Sequence, residues 1–72
     1  MKIDIYYCTV WNYKPKAVSV AEELYDAFGV RANLVPGDKG IFDIIVDGEL
    51  VFSKSKTRRF PESGEIASKL RQ

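Results

Sequence analysis

The chain contains no histidine and a single cysteine, Cys8. Without imidazole, the usual general base, imidazole zinc sites and any triad built on histidine are excluded, and no metal is expected. A lone thiol rules out an internal disulfide, so the apolar core must carry stability unaided. No apolar run approaches the roughly 18–20 residues that span a bilayer, so no membrane partner is expected. No charge sign dominates either: 11 Lys and Arg against 10 Asp and Glu leave a net +1. Bulk charge therefore gives no reason to expect nucleic acid. The first residues start directly into a strand pattern, without the basic and apolar regions of a secretory signal. With an unpaired thiol, that sets the expectation of a reducing, cytoplasmic location.

What is present fits one domain over residues 1–72, near the lower size limit for a self-sufficient core. Met1, Ile3, Ile5 and Tyr7 alternate with Lys2, Asp4 and Tyr6, the period of a strand buried on one face. Pro15 marks a helix start. Ala17, Val20, Ala21, Leu24 and Phe28 then recur at helical spacing, and Gly29 supplies a left-handed cap. Residues 30–35 read as a second strand, closed by Pro36-Gly37-Asp38. Residues 41–46 and 50–52 flank Asp47-Gly48, a strong hairpin signal. A basic stretch over 53–59 leads to Pro61, a second helix start, with Glu62 and Glu65 in its first turn and Ile66, Ala67 and Leu70 as its apolar stripe.

The expected order is β-α-β-β-β-α. A right-handed crossover makes the first two strands parallel, and the hairpin adds antiparallel strands. The expected fold is thus α/β, an α+β two-layer sandwich of a mixed four-stranded sheet with both helices on one face. A two-residue turn sets Ile44 opposite Val51 and Ile45 opposite Leu50. Phe42, Ile44, Val46 and Val51 are then assigned to the core. Tyr6, Ile45, Leu50 and Phe52 fall on the open face, a candidate partner or homodimer surface.

Cys8 ends the first strand, where open α/β sheets place their sites. A thiolate is the reactive form, so a role for Cys8 requires access. The alternative is a buried, inert cysteine. The loop between Cys8 and Pro15 must also fold back for the helix dipole to act there, because that field fades within about one turn.

The run Cys8-Thr9-Val10-Trp11, followed by Tyr13-Lys14-Pro15-Lys16, resembles the redox segment of the selenoprotein W-like (Rdx) family. Gly40-Ile41-Phe42-Asp43-Ile44, the stretch from Asp47 to Lys54, and Phe60-Pro61-Glu62 are similar to further family segments, so the likeness runs along the whole chain. The resemblance implies a thioredoxin-like fold and thiol redox chemistry at Cys8. Trp11 stands where the family has its second redox residue, selenocysteine or cysteine. Tryptophan cannot exchange thiols, which leaves monothiol chemistry: sulfenic acid, glutathionylation or an intermolecular disulfide. No cofactor is expected, and the expected partner is glutathione or a protein thiol.

Lys54, Lys56, Arg58 and Arg59 form a candidate anion site for phosphate or a glutathione carboxylate. The alternative is a solvated basic loop. The rival to the redox function is a non-catalytic interaction module, docking through Trp11, its neighbouring tyrosines Tyr7 and Tyr13, and the open sheet face.

Overall fold

In the computed structural model, which describes residues 1–72, the alternating segment forms β1 (Ile3–Cys8). It pairs in parallel with β2 (Asn33–Gly37) and antiparallel with β3 (Phe42–Val46). β3 continues antiparallel into β4 (Glu49–Ser53), giving one mixed sheet of order β2-β1-β3-β4. Between β1 and β2 runs α1 (Lys14–Phe28), opened by Pro15 and closed by Gly29 in the left-handed conformation. Asp47 and Gly48 both take positive φ, 52° and 84°, which is the type I′ geometry that matches strand twist.

The core lies where the helices meet one sheet face. Ile3, Ile5 and Tyr7 of β1 and Phe42, Ile44 and Val46 of β3 pack with Ala17, Val20 and Leu24 of α1. Ile66 and Ala67 of α3 (Glu65–Leu70) complete that layer. The mixed sheet with helices on one face is the expected α+β, thioredoxin-like architecture. Met1 departs from its strand's inward set, being largely exposed.

Three local expectations change. First, β2 begins at Asn33, so residues 30–32 lead into the strand. Second, one turn of helix, α2 (Lys54–Thr57), occupies part of the expected basic loop. Third, α3 begins at Glu65 rather than at Pro61, so Glu62 lies outside its first turn. The cause is a cap from a distant residue. Glu23 of α1 accepts hydrogen bonds from the N–H groups of Gly64 (2.7 Å) and Ala67 (3.0 Å), taking up donors that a helix start leaves free. Replacing this carboxylate by Glu23→Ala is expected to cost about 1 kcal/mol, the usual worth of a cap. Urea unfolding of the two proteins checks it.

The hairpin also departs from simple parity. Ile45 faces Leu50 as expected, but Ile44 faces Phe52, because a bulge puts Val51 out of the pairing. Phe52 therefore turns into the core at 3% exposure, correcting its assignment to the open face. Val51 is only half-buried, packed at the edge of the cluster.

Candidate functional site

Cys8 ends β1 opposite Gly37, the last residue of β2. Alternation along β1 puts its side chain on the sheet face away from the core residues Ile5 and Tyr7. The chain then turns sharply. The N–H of Tyr13 donates to the Cys8 carbonyl at 3.1 Å, and Tyr13 is the residue that caps α1. The loop does fold back, and the N-terminus of α1 meets the Cys8 backbone. Asn12 takes φ 58° to close that turn, a conformation asparagine tolerates better than most residues.

A second loop, residues 38–41, comes up beside the first. The Cys8 N–H donates to the Ile41 carbonyl (2.9 Å) and the Thr9 N–H to that of Gly37 (3.3 Å). Two glycines make the closure possible. A Cβ on Gly37 would lie 2.7 Å from Cγ2 of Ile41, so Ile41 occupies the space above Gly37. Because Gly37 is the register partner of Cys8, Ile41 stands beside the sulfur on the same face. At Gly40, with φ 76°, a Cβ would run into the six-membered ring of Trp11, which packs against the loop there. Neither glycine was marked as a site residue by the sequence, although glycine near a strand end signals close approach.

The outcome for the thiol is closure. Cys8 has 0% exposure, so the expectation of an accessible sulfur is not met. The rest of the motif faces solvent: Thr9 is exposed, Val10 is 78% exposed and Trp11 is 60% exposed. Trp11 thus both packs on Gly40 and presents its indole outward. Tyr7, a candidate aromatic neighbour, is in the core instead.

Behind Trp11 runs an aromatic series. Tyr13 stands edge-on to Trp11 (centroids 6.1 Å apart) and to Phe60 (4.8 Å), and Phe60 in turn meets Phe42 at 5.2 Å. Lys54 lies 5.6 Å from the Tyr13 ring centre and 5.3 Å from that of Phe60, where Lys16 is also 5.3 Å away. These are cation–π contacts. They bring part of the basic stretch to the rim of the Cys8 site.

The four proposed anion ligands do not act alike. Arg59 makes a two-pronged ion pair with Glu65, both contacts at 2.7 Å, and its guanidinium also sits over the Phe52 ring. It is therefore already engaged. Lys54 is held against the rings described above. Lys56 and Arg58 are exposed, with Arg58 in the left-handed conformation that ends α2. The open face holds Tyr6 and Ile45, half-buried, and Leu50, 44% exposed. Asp4 and Asp43 interrupt it between them, paired in register with Ile45 and Tyr6 respectively.

The Arg59 pair lowers the Glu65 carboxyl to about 2, first through its hydrogen bonds and next through the bond that Glu65 accepts from the Glu62 N–H. A depressed acid stabilises the fold above its ordinary value, and that contribution fades as pH falls toward 2. The effect is small, because the Arg59 side chain is 48% exposed and water screens the pair. Arg59→Ala is accordingly expected to flatten the acid limb of stability below about pH 4.5. Thermal melts against pH check it.

A small mixed sheet with helices on one face defines a protein of thioredoxin-like fold, with a single cysteine ending its first strand. The Rdx family model matches residues 2–72, and the chain belongs to the Rdx family, a selenoprotein W-related group of thiol redox proteins. Two solved structures are similar over nearly the whole chain. A protein from Bordetella parapertussis is 32% identical, covering 97% of this chain and 92% of its own, with a TM-score of 0.91. A selenoprotein W-related protein from Vibrio cholerae is 26% identical over 97% of this chain and 91% of its own, with a TM-score of 0.90. No curated protein matches significantly in sequence. No helix is long and apolar enough to cross a membrane.

Proposed function

We propose that this chain is a monothiol redox protein in which Cys8 exchanges with glutathione or a protein thiol when the two covering loops part. The observation that carries the reading is a single cysteine, Cys8, with Trp11, 60% exposed, three residues on where the family likeness puts the second redox residue. A resolving thiol is absent, so every covalent step must be intermolecular.

The cycle balances without any added oxidant. The Cys8 thiolate attacks the glutathione sulfur of a glutathionylated client, the client leaves as its thiolate, and Cys8 holds the glutathione. A second glutathione thiolate attacks that mixed disulfide, releasing oxidised glutathione and restoring Cys8. Attack requires access, and local opening of a loop held by a few backbone hydrogen bonds supplies it.

The missing sulfur can be restored. Trp11→Cys is expected to form an internal disulfide with Cys8 on mild oxidation, seen by intact mass as the loss of two hydrogens. It should also gain dithiol reduction of a disulfide substrate that the parent lacks. Failure to form that bond contradicts the assignment of residue 11 to the second redox position.

One observation favours a second reading, a docking module without catalysis. Val10 and Trp11 expose an aliphatic and an aromatic side chain side by side, on a loop whose cysteine is shut. Under that reading Cys8→Ser leaves partner capture intact and Trp11→Ala abolishes it.

A further inference from the structure

A net charge of +1 conceals a strongly polar molecule. β1 and β2 end, β3 begins and β4 ends at the same edge of the sheet, as the pairings Cys8 with Gly37, Tyr7 with Phe42 and Asp43 with Ser53 require. The segments 9–16, 38–41 and 54–60 therefore gather there. Contacts confirm the gathering: Trp11 lies on Gly40, and Lys16 and Lys54 both reach Phe60. These segments hold Lys14, Lys16, Lys39, Lys54, Lys56, Arg58 and Arg59, most of the 11 cations in the chain. Of its 10 acids they hold Asp38 alone. Of the other acids, Glu22, Glu23 and Asp26 lie on α1 and Asp47 and Glu49 at the hairpin turn, the far end of the sheet. Asp43 lies near the start of β3 opposite Ser53, and Glu62 and Glu65 follow the last basic segment, Glu65 engaged by Arg59.

Arg59 is neutralised by Glu65, and the remaining six cations have no acidic partner within ion-pair distance. In their midst stand Val10 and Trp11, the two most exposed large apolar side chains of the molecule. We infer that this end of the molecule docks an acidic protein segment bearing an apolar side chain, the cations drawing in carboxylates and Val10 and Trp11 supplying the anchor. Complementary charge of this kind sets encounter rate and choice of partner, and a desolvated aromatic supplies affinity.

Single-stranded nucleic acid, the other common partner of basic and aromatic surfaces, fits less well. Stacking successive bases needs successive open rings. Here only Trp11 is open, since Tyr13 and Phe60 pack edge-to-face and Lys16 and Lys54 lie against them. A small anion would have no use for Val10. The inference stands on charge placement and goes beyond the redox reading, so it holds or fails separately.

Trp11 is the only tryptophan and reports directly. Its emission is followed while a glutamate-rich peptide containing one leucine is added to the full chain and to Cys8→Ser, in which redox chemistry is impossible. Both proteins are expected to bind, with affinity falling as salt rises. The double variant K14E/K16E should lose at least about tenfold in affinity. Because Lys16 also contacts Phe60, a second variant, K39E/K56E, on exposed positions should weaken binding as well. Lys2→Glu, at the far end of β1, should not. Equal binding of the same peptide with glutamine for glutamate overturns the inference. So do tighter binding of an oligo-dT strand and an unaltered response in both double variants.

Discussion

Iodoacetamide should alkylate Cys8 at least about a hundredfold more slowly in the native protein than in the denatured chain, corresponding to about 2.7 kcal/mol of local opening. The sulfur has no exposed surface, and the loops over it are tied by hydrogen bonds from Cys8 to Ile41 and from Thr9 to Gly37. The protection should nonetheless be smaller than the global stability. The covering segments are loops with exposed tips, and such segments open without unfolding the core. Alkylation rates read by intact mass across a urea series separate the two. A rate that barely changes at low urea marks local opening, and one that tracks the global transition from the outset marks a thiol reached only through unfolding. A native rate close to that of the denatured chain contradicts the closed site altogether.

Gly40→Ala is the second large effect expected. The backbone there has φ 76°, and an added Cβ would run into the six-membered ring of Trp11. The left-handed conformation costs a side chain about 1–2 kcal/mol. The ring must also leave, because its contact atoms belong to a side chain that can swing while the loop backbone is held. Gly48→Ala is the matched control. It shares a positive φ, 84°, but nothing lies within 4 Å of its Cβ position. Both substitutions should lower stability through strain. Only Gly40→Ala should move the tryptophan emission to longer wavelength and speed alkylation of Cys8. If both variants leave emission and thiol reactivity unchanged, the indole is not part of the cover.

The parts of the fold that follow from local chemistry were legible from residues alone. Asp47-Gly48 can hardly be anything but a hairpin turn, and Pro15 and Gly29 bound a helix by fixing φ at one end and permitting positive φ at the other. What the sequence could not disclose depends on partners far along the chain. Leu50, Val51 and Phe52 are all apolar, so nothing in them announces that Val51 bulges and that Phe52 turns inward. The start of α3 is set by Glu23, which no local pattern near Pro61 reveals.

The site divides in the same way. Cys8 at the strand end was readable from the alternation along β1 and the loop residues that follow it. The burial of Cys8 was not, because it arises where two loops approach closely, with Gly37 making room for Ile41 and Gly40 for the indole. Among the candidate ligands, Arg59 looked as free as its neighbours until Glu65 was seen to claim it. The near-neutral total charge misled in another direction, since it averages a cationic sheet edge with an acidic remainder.

The most direct test of single-sulfur chemistry is the release of a peptide thiol from its glutathione mixed disulfide, in the presence of reduced glutathione. Wild-type protein should accelerate that release and carry one glutathione on Cys8 when quenched with acid, while Cys8→Ser should do neither. Acceleration that survives in Cys8→Ser, or a wild-type protein that never acquires glutathione even when Gly40→Ala has loosened the cover, would contradict it.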